Sequence, residues 1–280
     1  MLSFCGQRLP LGFSSSISIQ AVDYQSQASL ATAFKGQDAI IEAFNPAAAE
    51  YQKKVVDAAI DAGVQQLITP DFSSDTFNEY AEGLIIFEPK IKAQKHLEMR
   101  AREGKLAWTA IVVGAFYDWA GIRKRAFWVD GRQCSITIFG SGDQKTSISS
   151  IDRVGAATVM VLKNTEEFKN RPAYFADWSV STNELVEILK SLRPTIKWNV
   201  NRVPVATLFA EAKQMWDEDT VKGVKERLST KAYQYLGTYG VFEEQNRYGG
   251  DFSGKVEKGW EKDVGELREG FHNLLEEFET

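Results

Sequence analysis

Segments of helical and of extended character alternate over the first half of the chain, and this alternation restricts the fold more than any other feature. We predict four strands there, at residues 18–22, 38–44, 64–69 and 106–113. Helices are predicted between them: Ser26 is a suitable N-cap for the first, Pro46 can begin the second, and Pro89 begins the third. Because αβ units with short connections need right-handed crossovers between parallel strands, the sequence predicts an α/β fold with a doubly wound, Rossmann-like parallel sheet.

The pattern is less regular beyond Tyr117. Two extended segments around the glycine-containing turn at 140–143 indicate a hairpin, with strands at 135–139 and 146–151. Further strands are predicted at 173–176 and 196–200, and helices at 152–162, 181–192, 204–216 and 267–278. We therefore expect a dinucleotide-binding domain over residues 1–120 and a smaller C-terminal substrate-binding region over residues 121–280, with elements that return to the first domain.

Charge and hydropathy exclude several classes of partner. The 280 residues include 33 Lys and Arg against 38 Asp and Glu, and this net charge of −5 favours neither nucleic acid nor an anionic membrane surface. The longest apolar runs fall far short of the roughly 18 residues that span a bilayer. With two cysteines and no secretory signal pattern at its start, the sequence predicts a reducing, cytoplasmic location.

The usual catalytic motifs are also missing from the sequence. There are two histidines and no HExxH or CxxC motif, so no metal site is predicted. The sequence contains neither the GxSxG motif of hydrolases nor the Tyr-x-x-x-Lys pair of ordinary short-chain dehydrogenases. We therefore look for a catalytic group outside these metal, hydrolase and short-chain dehydrogenase motifs.

Six segments stand out by their order and spacing: 22–24 (VDY), 34–38 (FKGQD), 58–76 (AAIDAGVQQLITPDFSSDT), 89–94 (PKIKAQ), 113–119 (VGAFYDW) and 171–177 (RPAYFAD). Together they resemble the NmrA-like, isoflavone-reductase-like branch of the atypical short-chain dehydrogenases, especially its fungal members. The resemblance extends over nearly the whole chain from about Ser18 onward. It implies NADPH as cofactor, with NADP preferred over NAD, and a small aromatic or polyketide-like metabolite as substrate.

The beginning of the chain departs from the family pattern. Members of the family begin with a strand, a GxxGxxG turn, a helix and a second strand, and a βαβ unit needs roughly 30 residues or more. Only about 17 residues precede Ser18, and Gly6 and Gly12 do not form that motif. We therefore expect the sequence to be incomplete at its N-terminus and to bind NADPH weakly or not at all, since the N–H groups that cradle the pyrophosphate are missing. Arg8 is either the residue that contacts the 2′-phosphate in NADPH-using relatives or an arbitrary terminal arginine.

Lys90 is the best catalytic candidate. It lies just after Pro89 in the first turn of a predicted helix, where the partial positive charge of the helix N-terminus should lower the pKa of the lysine and suit it to proton transfer. The resemblance places a catalytic lysine, which also lies beside the cofactor, at the corresponding position. The alternative is an ordinary solvated lysine, since Lys92 and Lys95 are on the same helix.

The other cofactor-binding candidates follow the third and fourth predicted strands, at the edge where parallel sheets bind ligands. After the third strand come Pro70, Asp71 and Phe72; the aromatic ring can stack near the nicotinamide or pack in the core. After the fourth strand come Gly114 and Phe116. A glycine there suits either the close approach of a cofactor or a tight turn.

Two other segments allow less specific interpretations. The run of aromatic residues and glycines at 239–252 suits either a mobile flap over a pocket or a packed irregular tail. The basic residues at 123–125 lie beside two aromatic residues, but three charges in an acidic protein are typical of a solvated face.

The sequence leaves three functions to compare. The first is an NADPH-preferring oxidoreductase, with hydride supplied by the nicotinamide and Lys90 assisting proton transfer to a small-molecule substrate. The second is a regulator of the NmrA kind, which binds dinucleotide without turnover and signals through a protein partner; Lys90 favours the enzyme, because these regulators as a group lack a working catalytic residue. The third is a chain that binds no dinucleotide, either a pseudoenzyme or an artefact of gene modelling. A homodimer is a further expectation.

Overall fold

The computed structural model describes residues 2–6, 17–44, 46–118 and 128–277. The chain forms two compact units. The first lies within Met1–Pro70, Pro89–Ala110 and Val161–Pro172, and the second lies within Asp71–Glu88, Ile111–Met160 and Ala173–Thr280. The units are interleaved along the chain. The division at residue 120, which separates dinucleotide-binding from substrate-binding residues, stays a prediction.

The predicted alternation of strands and helices is found in the first part of the chain. In order, its elements are β1 (Leu2–Gly6), β2 (Ile17–Ala21), α1 (Gln27–Phe34), β3 (Ala39–Ile41), a 3-10 helix (Pro46–Tyr51), α2 (Gln52–Ala62), β4 (Gln66–Thr69), α3 (Glu88–Arg102) and β5 (Ala107–Val112). Ser26 caps α1 as predicted, and its hydroxyl accepts a hydrogen bond from the backbone N–H of Ser29 at 3.2 Å. Gly63 ends α2 in the left-handed conformation, with φ of 79°.

The sheet of the first unit is parallel, as the crossover argument requires. β4 lies between β3 and β5 and runs parallel to both, so that Ile40, Leu67 and Trp108 are in register. β2 pairs with β1 in a separate parallel ladder, so the expectation that the strand at 18–22 joins the same sheet as the other three strands is wrong for the described residues. The core beneath these strands contains Leu67, Ile68 and other fully buried aliphatic side chains. These observations confirm the prediction of a Rossmann-like α/β fold.

The remaining elements are, in order, β6 (Ala115–Phe116), β7 (Val129–Asp130), β8 (Ser135–Phe139), β9 (Lys145–Ser149), α4 (Ile151–Lys163), α5 (Thr165–Phe168), β10 (Arg171–Tyr174), β11 (Trp178–Ser181), α6 (Thr182–Leu192), β12 (Asn199–Val203), α7 (Val205–Val221), α8 (Lys231–Phe242) and α9 (Val264–Glu276). β10 completes the first sheet, whose strand order is β10-β5-β4-β3. The second unit contains two three-stranded sheets, with strand orders β11-β9-β6 and β12-β8-β7.

The predicted hairpin is wrong, because β8 and β9 belong to these two different sheets. The turn between them is fixed by distant residues rather than by strand pairing. Glu244 accepts hydrogen bonds from the backbone N–H of Ser141 at 2.6 Å and from its hydroxyl at 2.8 Å. The N–H of Gly140 donates to the carbonyl of Val203 at 2.9 Å, which continues the pairing of β8 with β12. These contacts direct the chain from one sheet into the other.

The differences from the predictions include the positions of two strands and two helices, α5 and α8, that were not predicted. β3 is shorter than the predicted 38–44, and the strand predicted at 196–200 lies at Asn199–Val203. Helix α8 was not predicted, although Thr230 caps it by accepting a hydrogen bond from the N–H of Tyr233 at 3.2 Å. A threonine three residues before Tyr233 and six before the buried Leu236 was the available signal. No helix in the described ranges is long and apolar enough to cross a membrane.

Candidate functional site

Lys90 lies in the first turn of α3, in the first unit. The residue is only 9% exposed, whereas Lys92 and Lys95 on the same helix are exposed. Helical geometry explains the difference, because Lys90 shares its face of the helix with the buried Gln94 and Leu97, four and seven residues later. Lysine is among the residues least often buried, so a solvated surface lysine does not describe this residue.

Pro70 and Asp71 follow the carboxyl end of β4 and are both buried, Pro70 in the first unit and Asp71 in the second. The Asp71 carboxylate accepts a hydrogen bond from the hydroxyl of Thr76 at 2.9 Å, within the same loop. A short polar link of this kind closes the loop on itself. The predicted residues therefore lie where parallel sheets bind ligands.

The segment from Asp71 to Phe77, here called the 71–77 loop, is bound to the turn that follows β5. The carbonyl of Ser73 accepts hydrogen bonds from the N–H groups of Val113 at 3.3 Å and Gly114 at 3.0 Å. The second unit therefore brings together the two loops that were predicted separately to contact the cofactor. Phe72 is half-buried in this loop, between the buried Asp71 and the Ser73 anchor.

Gly114 is required by the protein itself. Its φ is +73°, a conformation that other residues rarely adopt, and a Cβ added there would overlap the backbone carbonyl of Ser147. Of the two interpretations considered for this glycine, the tight turn therefore explains its presence fully. Contact of Gly114 with a cofactor stays a prediction. Phe116 is half-buried on β6, which pairs in parallel with β9.

Sequence reasoning missed Asp75, a buried carboxylate near the end of the 71–77 loop. It is 1% exposed and accepts three hydrogen bonds: from the Phe77 N–H at 3.0 Å, the Tyr174 hydroxyl at 3.1 Å and Lys255 Nζ at 2.6 Å. Asp75 and Tyr174 both occur in segments that carry the family resemblance, but their 99-residue separation gave no sign that they meet.

The run at 239–252 is packed within the second unit, to which it belongs. Its first residues belong to α8, and Phe252 is buried against Tyr174, with ring centroids 5.4 Å apart. The carbonyl of Gly249 accepts a hydrogen bond from the Asp75 N–H at 3.2 Å, and that of Gly250 accepts one from the Ser147 N–H at 2.9 Å. These contacts support the packed tail rather than the flap.

Three ionisable groups in this run have shifted pKa values, and the pKa of Arg247 is raised by its hydrogen bond with Glu243. Burial raises the pKa of the Tyr239 hydroxyl, and the negative form of the neighbouring Tyr248 would raise it further. Burial also opposes ionisation of Glu243, but hydrogen bonds from the Arg247 side chain and from the backbone outweigh it and lower the pKa of that carboxyl. The Arg247 Nε donates to the carboxylate at 3.0 Å.

The helix N-termini in the described part of the first unit do not offer the glycine-rich turn that typically cradles a pyrophosphate. The turns before α1, α2 and α3 in that part are not glycine-rich: Ser26 caps α1, a 3-10 helix precedes α2, and Glu88 occupies the first turn of α3. Arg8 lies outside the described residues. Across the described ranges, no group of three or more His, Cys, Asp or Glu residues could hold a metal ion.

Comparison with known proteins gives a consistent result. A family-wide sequence comparison matches residues 14–278 to the NmrA-like family. An Aspergillus flavus protein named oxidoreductase aprR is 30% identical over 194 residues, which cover 68% of this chain and 64% of the relative. The Penicillium oxalicum oxidoreductase poxI matches over 59% of its own length, so the chain spans less than two thirds of these curated relatives.

Two solved structures share the fold at low sequence identity. The Vitis vinifera leucoanthocyanidin reductase in its binary complex with NADPH has a TM-score of 0.69 at 15% identity, covering 92% of this chain and 86% of its own. The Citrobacter triphenylmethane reductase complexed with NADP(H) has a TM-score of 0.62 at 18% identity, covering 92% and 84%. Both confirm the architecture derived from strand pairing and element order.

Proposed function

Because the chain belongs to the NmrA-like family, we propose that it is an NADPH-dependent oxidoreductase of the isoflavone-reductase-like type. The burial of Lys90 in the first turn of α3 carries this proposal. The position corresponds to that of the catalytic lysine in the resembling reductases, and burial distinguishes this lysine from the exposed Lys92 and Lys95. A regulator that only senses dinucleotide has no evident use for such a group.

The bound cofactor would supply the hydride. Lys90 would donate or accept the proton that balances hydride transfer, because it is a buried lysine held in the first turn of a regular helix. A group fixed on a helix keeps its position more accurately than one on a free loop.

The residues at the carboxyl end of the sheet fit the nicotinamide end of the cofactor. Pro70 and Asp71 would line its ribose, Phe72 would pack beside the ring, and Gly114 and Phe116 would form the neighbouring wall. The fit rests on the anchored 71–77 loop and on the half-buried aromatic side chains. Arg8 is assigned to the 2′-phosphate.

The proposed substrate is a small aromatic compound or secondary metabolite. Two solved neighbours are named leucoanthocyanidin reductase and triphenylmethane reductase, and each name includes that of an aromatic compound. We further propose a cytoplasmic location, supported by the low cysteine content, and a homodimeric state that size-exclusion chromatography would measure.

The proposal is tested first by titrating NADPH into the protein and then by following NADPH consumption with a panel of aromatic ketones and conjugated carbonyl compounds. With a substrate in hand, Lys90→Ala should lower kcat by about 10²–10⁴-fold, the usual contribution of general acid–base catalysis, and change NADPH affinity much less. Lys95→Ala, an exposed lysine on the same helix, is the control and should leave both quantities unchanged.

Each alternative function corresponds to a different result. NADPH binding without turnover of any compound, or a Lys90→Ala variant with unchanged kcat, would favour the regulatory protein. A protein that fails to bind NADPH would favour the third function, a chain that binds no dinucleotide. The lack of a glycine-rich turn before α1, α2 and α3 in the described part of the first unit would agree with that result.

A further inference from the structure

Asp75 connects three segments that are far apart in the sequence. It belongs to the 71–77 loop, its carboxylate accepts from Tyr174 on β10, and it pairs with Lys255 at 2.6 Å, 180 residues away. All of these residues belong to the second unit. Asp75 is 1% exposed, whereas Lys255 is 49% exposed, so the cation reaches the buried carboxylate from the surface.

The carboxylate is fully engaged. Phe77 N–H and Tyr174 O–H donate to Oδ1, and Lys255 Nζ donates to Oδ2. The Lys255 ammonium also lies 5.3 Å from the centre of the Tyr174 ring. Because a buried charge is tolerated only with such partners, the loop has one favourable position for Asp75.

The 71–77 loop is therefore held at two points. The carbonyl of Ser73 is bound to the turn at 113–114, and Asp75 is bound to β10 and to the segment that follows Phe252. Phe72 and Asp71 lie immediately before the first of these points. If the Asp75 carboxylate lost its partners, the loop would lose its side-chain connection to β10 and to Lys255, and would keep backbone bonds such as those of Ser73 and of the Asp75 N–H with the Gly249 carbonyl.

We infer that Asp75, with Lys255 and Tyr174 as its partners, is a positioning residue that fixes the 71–77 loop for NADPH binding. The inference rests on the proposed function, since it assigns the loop to the nicotinamide end of the cofactor. Asp75 does not contact the cofactor in this scheme. It acts through the conformation of Asp71 and Phe72.

The second unit provides a matched control. Arg153 pairs with the fully buried Asp177 at 2.7 Å, and its guanidinium lies 3.8 Å from the centre of the Trp260 ring. This pair repeats the features of Lys255 and Asp75, a partly exposed cation on a buried carboxylate and an aromatic ring. No hydrogen bond in the described ranges joins Arg153 or Asp177 to the 71–77 loop.

The test compares Lys255→Met, Asp75→Asn and Arg153→Met. Amide hydrogen exchange without ligand measures the order of residues 71–77, and fluorescence titration measures NADPH affinity. Lys255→Met should raise exchange in 71–77 and weaken NADPH binding, each by about tenfold, which corresponds to one lost charge-assisted hydrogen bond. Lys255→Arg should keep both exchange in residues 71–77 and NADPH affinity near those of the wild type, because arginine retains the positive charge.

Arg153→Met should lower the melting temperature at least as much, but keep exchange in 71–77 and NADPH affinity within about twofold of wild type. Unchanged exchange in 71–77 in Lys255→Met would overturn the inference, as would raised exchange with unchanged NADPH affinity. If Asp75→Asn does not fold, the surface variant Lys255→Met still decides. A wild-type protein that does not bind NADPH would refute the proposed function directly, and the positioning role with it.

Discussion

The two units of this protein differ in the interactions that stabilise each one internally. In the first, the strands pair with neighbours in the chain order β3, β4, β5, and each helix connects one strand to the next. In the second, polar side chains join residues about a hundred positions apart, such as Ser141 with Glu244 and Tyr174 with Asp75. Regular repeats can be recognised from a short window of sequence, whereas long-range polar links cannot.

The largest expected effect compares two glycines with positive φ. Gly114 in the second unit faces the backbone of Ser147, while Gly36 in the first unit has open space around its α-carbon. Gly114→Ala should lower the free energy of unfolding by more than about 4 kcal/mol, because the backbone of Ser147 must move. Gly36→Ala should cost only the strain of its conformation, about 1–2 kcal/mol. Urea unfolding measures both, and equal losses would contradict the comparison.

A smaller effect concerns acid stability. The folded protein lowers the pKa of Glu243 through its hydrogen bonds with Arg247, so the pair stabilises the fold above the ordinary carboxyl pKa of 4.5 and loses this contribution as the pH falls through the lower, folded value. Arg247→Met should reduce stability at neutral pH and flatten its decline with acid, which the melting temperature measured as a function of pH will show.

The control for acid stability is in the first unit. The pKa of Glu103 is lowered by its hydrogen bond with Lys105, but this carboxylate is exposed to solvent. Lys105→Met should therefore leave the pH dependence of melting nearly unchanged. A Lys105 variant that alters the acid limb as strongly as the Arg247 variant would show that burial is not the cause.

The smallest effect compares two helix caps. Ser181 and Glu184 form a reciprocal capping box on α6, with hydrogen bonds of 3.2 and 2.7 Å, whereas Ser26 makes a single capping bond to α1. Ser181→Ala should cost about 1–2 kcal/mol and Ser26→Ala about 0.5–1 kcal/mol. Thermal unfolding of the two variants would test this order, and a more costly Ser26→Ala would reverse it.

The same contrast explains which parts of the molecule could be predicted. The parallel sheet and the cap at Ser26 were predicted from local patterns, and the structure confirms them. The hairpin prediction failed because the position of Ser141 is decided by Glu244, 103 residues later.

The candidate site shows both cases. Lys90 was identified from its place after Pro89 and from the resemblance, both visible in the sequence. Asp75 was not identified from the sequence, because nothing near it in the chain indicates that Tyr174 and Lys255 will be its partners. Sequence patterns locate the ends of strands, but they do not show which distant groups will meet there.

The interleaving of the units has a consequence for protein synthesis. The first unit includes residues Val161–Pro172, which contain the start of β10, the strand that lies beside β5. A nascent chain that has emerged only as far as β5 therefore lacks the strand that covers this edge of its sheet, and it exposes that edge to other chains until β10, which ends at Tyr174, leaves the ribosome. The order of emergence makes this interval the period in which the growing chain most needs protection from aggregation.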